Sequence, residues 1–533
     1  MAIYYVKNGG SDSADGLSDA NAWASIAKVS SFALSPGFSP GDIIKFKCGH
    51  SFQTPIAGGG ADNSLFPNSG TSAGVITITS YGTGAKPILH SSVTANTTGD
   101  WHLISGNLWY CNDAAFIKDV GNIIFGGGTS VGVKVATSAE CTAQGYYWYD
   151  TVNNDRVRMY SVGNPATYYS GDIRCCYQVD VIWLHYTEYI TIDGLNISYG
   201  GSHGIGGFGC SHIQIRNCNF TWLGGCSLDG VLRYGNGVEL LNADGYSSDD
   251  VLIEYNYFNE IYDTGFSFQG GYGGSNGPDW SNITVRYNVL SNIEWMFEFW
   301  TTGSDVTVTN VYIQNNTCVD AGGQKLHASR WAYTYANHFY WGPMEGTFTN
   351  VYLRNNIFSN ANGINNYPPL SSMVAIIIER YADRLKINID YNLYRISSDV
   401  NDWAYLGYIN SGERLTLADW RTASGKDANS LQADPLFTNR ANGDFTLQIG
   451  SPAINKGIST GYTRDFVGNP IVGNPDVGAY EYVAGGGSTY DGVLQIWDGN
   501  NWVPKPLAVQ NGGMLARPVR MYVGGQWKLV QSF

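Results

Sequence analysis

VLIEYNYF at 251–258, ITVRYNVL at 283–290 and VYIQNNTC at 311–318 are three copies of one eight-residue pattern, and the fold follows from it. The pattern extends in both directions. ITIDGLNI at 190–197 and IQIRNCNF at 213–220 precede it, and VYLRNNIF at 351–358 and INIDYNLY at 387–394 follow. Positions one and three are β-branched or Leu in every copy, while positions two and four are polar or amphipathic apart from Leu252. Such alternation is the mark of a strand with one face in a core. The copies begin 23, 38, 32, 28, 40 and 36 residues apart, within the range of solenoid repeats. The shortest spacing is one bare coil. The longer ones add loops, which on a rigid scaffold are where function sits. Position six carries Asn256, Asn288, Asn316, Asn356 and Asn392. Asn tolerates left-handed backbone and bonds to an identical neighbour, so a ladder of stacked amides at a turn is expected. A second strand follows in several coils, GVEL at 237–240, GFSF at 265–268 and MFEF at 296–299, aligned on Glu239, Ser267 and Glu298. The expectation is an all-β, right-handed parallel β-helix in which each rung contacts only its neighbours.

Composition agrees with short strands and many turns. Of 533 residues 43% are hydrophobic and only 14% charged, with 67 Gly, 37 Tyr and 16 Trp; charged residues usually make up about 25% of a globular domain. A net charge of −14 repels phosphate and argues against a nucleic-acid partner. It leaves room for an acidic glycan held by a local basic patch. Nine Cys fit no zinc spacing and are read as buried free thiols, with Cys210–Cys226 and Cys175–Cys176 left open as pairings. No apolar run is long enough to span a membrane, and MAIYYVKNGG is not read as a secretory signal.

The organisation expected is an N-terminal cap with first coils over 1–99, a β-rich insertion over 100–188 and the main helix over 189–483. A Gly/Ser linker at 484–490 and a small β-hairpin module at 491–533 follow. In the module, IWDGNNWVPK at 496–505 is echoed by MYVGGQWKLV at 521–530, which suggests two hairpins. The opening YYVKNGGSDSADGLSDANAWASIAKV from Tyr4 and SPGDIIKFKCGHSF from Ser39 resembles the caps of pectate-lyase-like parallel β-helix proteins. So do DPLF at 434–437, GDFTLQIGSPAINKG at 443–457 and NPDVGAYEY at 474–482 at the other end. The C-terminal module is similar to those that end many phage tail proteins. The resemblance as a whole implies a tailspike-like depolymerase of a bacterial surface polysaccharide. It implies a virion location, other tail proteins as partners and a homotrimer. The alternative origin is a bacterial enzyme exported by another route. Tailspikes usually carry an N-terminal particle-binding domain; here the cap begins near residue 3, which points to the C-terminal module for attachment or oligomerisation.

Glycoside hydrolysis needs two carboxyl groups across the scissile bond. Glu239 and Glu298, two rungs apart, are expected roughly 9–10 Å from each other at about 4.8 Å per rung. Asp263 and Glu294 lie near the same column, and aligned acids raise at least one pKa. Tyr262, Trp280, Trp295, Phe297 and Trp300 surround it. Phe266, Phe268, Phe297 and Phe299 alternate with the column and are read as core, leaving Trp295, Trp300 and Tyr262 as sugar contacts. The loop at 327–341 supplies His327, Arg330, Trp331 and His338 as a set for uronate elimination or substrate binding, and His203 is a further, weaker candidate. Asp244, Asp249 and Asp250 are a calcium candidate but lack EF-hand spacing, so a turn is the preferred reading and neither cofactor nor metal is expected. Three functions are weighed: a hydrolase using Glu239, Asp263 and Glu298, a lyase using the 327–341 loop, and a non-catalytic receptor-binding adhesin.

Overall fold

In a computed structural model of the chain, Ile213 pairs in parallel register with Ile190 before it and Val251 after it, and the column runs on through Ile283, Val311 and Val351. The structure describes all residues except 56–62, 117, 152–155, 228–231, 244–246, 273–278, 302–304, 324, 326–334, 343, 362–371, 379–382, 384, 396–403, 407–412, 484–493, 498–501, 506–518, 524–525 and 532–533. The eight-residue repeat therefore stacks in register, and the architecture is a parallel β-helix.

Each coil has three walls. Ser211–Arg216 lies in the first wall, a ten-stranded sheet, Asn219–Leu223 in the second and Val238–Ala243 in the third. In the next coils the second and third walls fuse into the long strands Tyr257–Tyr272 and Val289–Thr301. Inward residues such as Ile213, Ile215, Phe220 and Leu240 are fully buried in one continuous core, each contributing about 1.5–3 kcal/mol of hydrophobic stabilisation.

The amide ladder forms as expected. The Asn256 backbone N–H and Nδ2 both donate to Asn288 Oδ1 at 3.0 Å, and the pattern repeats from Asn288 to Asn316, Asn316 to Asn356 and Asn356 to Asn392. The left-handed residue, however, is position five, one before the ladder. Asn217, Tyr255, Tyr287, Asn315, Asn355 and Tyr391 all have φ between 48° and 58°. The chain turns there, and the following Asn side chain is thereby directed inward to bond its neighbours.

At the N-terminus the helix Ile26–Leu34 is capped by Ser25, and Trp23 stacks on Tyr4 with centroids 4.9 Å apart. The insertion forms a five-stranded sheet, largely antiparallel, with its own hydrophobic core. The helix resumes at Ile182–His185, which already pairs in parallel with Ile205–Phe208, ahead of the boundary expected at 189. Near the other end, Phe437, Phe445, Val477 and Tyr480 pack on Val289, Val319, Ile357 and Leu393 of the second wall. The chain divides into two compact units, Met1–Tyr482 and Val483–Phe533. The second contains two antiparallel hairpins, Leu494–Trp497 with Trp502–Lys505 and Val519–Val523 with Gln526–Gln531. All nine cysteines are free, so neither pairing left open forms. Among the described residues no helix is long and apolar enough to cross a membrane.

Candidate functional site

The outer face of the third wall carries a column running Trp183, Gly206, Glu239, Ser267, Glu298, Tyr340. Strand alternation puts these side chains outward because Leu240, Phe266, Phe268, Phe297 and Phe299, their neighbours in sequence, fill the core. A parallel outward column holds Leu241, Gln269 and Trp300.

Gln269 joins the two glutamates. Its Nε2 donates to Glu298 Oε2 at 3.1 Å and lies 3.5 Å from Glu239 Oε2. The same nitrogen donates to Ser267 Oγ at 2.8 Å, and the two glutamate oxygens, 3.1 and 3.5 Å from one atom, are no more than the sum of those distances, 6.6 Å, apart. This is well inside the separation expected from backbone spacing alone, because the side chains lean toward each other across the intervening Ser267.

The two carboxyls have different surroundings. Glu298, nearly buried, accepts at Oε2 from Ser267 Oγ at 2.5 Å and from Gln269. Burial pushes the Glu239 carboxyl above its ordinary range, and the carboxylates of Asp180 and Asp263 push in the same direction, against the pull of His203 and Asn236. Asn236 is held in one orientation: its Oδ1 accepts from the Thr264 N–H at 2.9 Å and its Nδ2 donates to Glu239 Oε2 at 2.6 Å. His203 Nδ1 accepts from the Asn236 backbone N–H at 3.0 Å. The backbone N–H can only donate, so the neutral ring carries its proton on Nε2, which faces Glu239 Oε1 at 3.4 Å.

Asp180 and Trp183 complete the site on the insertion side. Asp180 Oδ1 accepts from the His203 N–H at 3.0 Å and from the Ser202 hydroxyl. A side chain at Gly206 would collide with the Asp180 carboxylate and with the Trp183 ring. Glycine there lets both lie over the strand, and Trp183, half-buried, becomes an aromatic surface beside the acids.

Other expected contacts are placed differently. Glu294 and Tyr262 are fully buried, with the Arg233 guanidinium over the Tyr262 ring at 4.4 Å. Trp295 stacks on Tyr340 with centroids 4.7 Å apart and is almost wholly covered. His338 is buried, and burial pulls its pKa down to about 3. In these four the structure differs from the sequence reading: neighbouring rungs and aromatic stacking close over their side chains, so none of them stands exposed on the third wall. Trp280 is buried in the core. Trp300 is half-buried beside Gly342, and Asp263 is partly exposed. Arg330, Trp331 and His327 lie outside the described residues, as does Asp244. Asp249 accepts from Ser281 and Asp250 pairs with His212, and no group of three potential metal ligands occurs among the described residues.

Sequence reasoning misses Asp180, Trp183, Asn236 and Gln269. The alternation VIWLH at 181–185, with Ile182 and Leu184 inward, is the signal for Trp183, and it falls inside the stretch expected to belong to the insertion. Asn236 and Gln269 carry no local signal.

No family model and no curated protein matches the chain. Among solved structures it is similar to pectate lyase Pel9A, at 13% identity over 90% of this chain and 96% of that one, TM-score 0.38. It is likewise similar to XylC in complex with xylose, at 12% identity over 90% and 98%, TM-score 0.37. A structure named as a glycoside hydrolase aligns at 10% identity over 80% and 99%, TM-score 0.36. Likenesses this loose carry no argument about chemistry, which rests on the site itself.

Proposed function

We propose that this chain hydrolyses a polysaccharide along the third wall, with Glu239 as general acid and Glu298 as the second carboxylate. The observation that carries the reading is the pair of glutamates bridged by one amide, one pushed toward its protonated form by burial and like charges, the other accepting from the Ser267 hydroxyl and from Gln269. Retaining glycosidases keep their carboxyls about 5–5.5 Å apart and inverting ones about 6.5–9.5 Å; contacts of 3.1 and 3.5 Å to one nitrogen place the nearest oxygens within 6.6 Å of each other, and the course we adopt is the retaining one. Glu298 then attacks the anomeric carbon while Glu239 gives its proton to the departing oxygen. In the second half, Glu239 takes a proton from water, whose oxygen displaces Glu298 from the sugar. Trp183 and Trp300 flank the acids as surfaces for sugar C–H groups.

The polymer we assign is a bacterial surface polysaccharide, and the setting a phage tail in which trimers of the chain are joined to other tail proteins through the C-terminal module. This setting rests on the resemblance of the sequence at 491–533 to modules that end phage tail proteins. Incubation with capsule or lipopolysaccharide of host bacteria is expected to release reducing ends with retained anomeric configuration, followed by NMR, and without the ultraviolet absorbance of an unsaturated uronate. That absorbance would assign a lyase instead. Binding with no new reducing ends would assign an adhesin.

The pH profile tests the acid. The acid must be protonated and its partner ionised, so kcat/KM falls at both extremes. The alkaline limb, set by Glu239, is expected above the ordinary glutamate range. Asp263→Asn removes one of the charges that raise Glu239 and should move that limb to lower pH while leaving the acid limb nearly in place. An unmoved alkaline limb would assign the general acid elsewhere.

A further inference from the structure

The outer face of the first wall changes character toward its C-terminal end. Its position-two column runs Gln214, Leu252, Thr284, Tyr312, Tyr352 and Asn388 in register, so aromatics occupy two neighbouring rungs. The two tyrosine rings stack with centroids 5.5 Å apart and planes 2° from parallel, and both are half-buried. The position-four column changes at the same place. Arg216 pairs with Asp193 and Arg286 with Glu254, in each case a carboxylate on the preceding rung. Arg354 meets an amide there instead, its Nε donating to Gln314 Oε1 at 2.9 Å. Asp390, in register with Arg354 on the next rung, is taken up elsewhere. It accepts from the Tyr391 N–H at 2.9 Å, the Asn429 N–H at 2.7 Å and Asn429 Nδ2 at 2.8 Å. Among the described residues no carboxylate forms an ion pair with Arg354. Its guanidinium lies 4.8 Å from the Tyr352 ring centroid and 6.0 Å from that of Tyr312. Stacking and one hydrogen bond thus hold the fork in place, with its terminal N–H groups left to donate.

A cavity of about 330 Å³ opens beside this stack, within the range of roughly 300–1,000 Å³ for small-molecule sites. Tyr352, Arg354 and Asn388 line it from the strands, and residues 425–428, which follow the helix Leu417–Ser424, line it from the other side. Lys426 Nζ donates across it to Asn388 Oδ1 at 3.3 Å. Arg354 and Lys426 are offset in the lining by Asp390 and by Asp427, whose buried carboxyl accepts from Tyr394, Trp420 and Ser430. Neither sign of charge is in excess. An aromatic face, a fixed fork of N–H donors and an amide in a charge-balanced cavity suit a ring with an apolar C–H face and adjacent hydroxyls on its rim.

We propose that this cavity is a second, non-catalytic carbohydrate site that takes a neutral sugar with vicinal hydroxyls. It lies on the first wall, two coils beyond the one that carries Glu298, and so does not open on the acids. Tyr352 receives the C–H face of the sugar, the Arg354 fork donates to two adjacent hydroxyls, and Asn388 and Lys426 close on the rim. The site goes beyond the hydrolase reading and does not depend on it, since it would hold the chain on a glycan whether or not a linkage is cut. Two sugar sites on separate walls bind a polymer or a glycan-coated surface more tightly than either does alone.

The test uses the full chain and saturation-transfer NMR with glucose, galactose, mannose, rhamnose, N-acetylglucosamine and glucuronate, each at millimolar concentration. At least one neutral sugar is expected to take up saturation, and to keep doing so when Trp183→Ala and Glu298→Gln together alter the third wall. Arg354→Gln should raise its dissociation constant about tenfold, the worth of one hydrogen bond to a charged group, and Tyr352→Ala should remove the signal. Lys426→Ala, outside the strands, should weaken binding at unchanged melting temperature, which separates loss of the site from loss of the fold. Saturation of no neutral sugar, of glucuronate alone, or only through the third wall would overturn the proposal, as would indifference to all three first-wall substitutions. Reducing ends released from a surface polysaccharide are scored separately. Their absence would sink the hydrolase reading and leave this site standing; their presence without first-wall binding would do the reverse.

Discussion

Glu298→Gln is expected to lower kcat by about a thousandfold or more while leaving the fold and substrate binding nearly intact. Positioned acid–base groups are worth about 10²–10⁴ in rate, and a residue that also forms the covalent bond lies at the upper end. The substitution is isosteric. The new amide would keep an oxygen to accept from the Ser267 hydroxyl, which lies 2.5 Å from Glu298 Oε2, and from Gln269. The melting temperature should therefore shift by no more than a few degrees. Removal of the charge leaves nothing to attack the anomeric carbon. Turnover with reducing ends as readout and affinity by calorimetry separate the two roles. Activity within tenfold of wild type would mean that the pair bridged by Gln269 is not the catalytic pair. A combined loss of activity and melting temperature would mean that Glu298 is mainly a wall residue.

Asn316→Leu should destabilise the β-helix by about 3–5 kcal/mol, more than any ordinary surface change. Asn316 sits at the centre of the ladder with no exposed surface. Its Oδ1 accepts from both the Asn288 N–H and Nδ2, and its own Nδ2 donates to Val285 O, Gln314 O and Asn356 Oδ1. Leu fills a similar volume but satisfies none of these. Each buried polar group left without a partner costs about 1–3 kcal/mol; the Asn288 N–H would lose its acceptor, and the Asn288 amide would keep only Ile253 O and Arg286 O. The outer ladder of Asn282, Asn310 and Asn350 supplies the contrast. There each Nδ2 donates to Oδ1 of the preceding Asn, at 3.0 Å per step and in solvent, so water replaces a lost partner. Asn310 has φ 57°, a conformation that glycine adopts freely, and Asn310→Gly should cost under about 1 kcal/mol. Denaturant midpoints with unchanged slopes would check both. A loss at Asn316 no greater than at Asn310 would show that the ladder orders the turn without stabilising it.

The two predictions draw on one source. Ladder and column both follow from a repeat that is local in sequence. Alternation over eight residues assigns an inward and an outward face, and stacking carries equal positions onto equal positions. Ile213 over Val251, Asn288 over Asn316 and Glu239 over Ser267 and Glu298 are therefore legible in the chain itself. The left-handed corner is legible only to within one residue. An Asn at position six signals a turn, but Tyr255, Tyr287 and Tyr391 at position five, residues that rarely take positive φ, hide which residue turns.

The periodic part thus belongs to the sequence: a parallel β-helix, a buried amide ladder, and two glutamates facing outward two rungs apart. The rest appears only once the chain is folded. Packing converges those glutamates on Gln269, sets Asp180 and His203 from an earlier rung against Glu239, and buries Glu294, Tyr262, Trp295 and His338. The difference is one of range. A strand's two faces are fixed by backbone geometry within a few residues. Which acids share a hydrogen bond, and which aromatics are covered, depends on side-chain rotamers and insertions packed from residues far away in the chain, and the repeat carries no record of these.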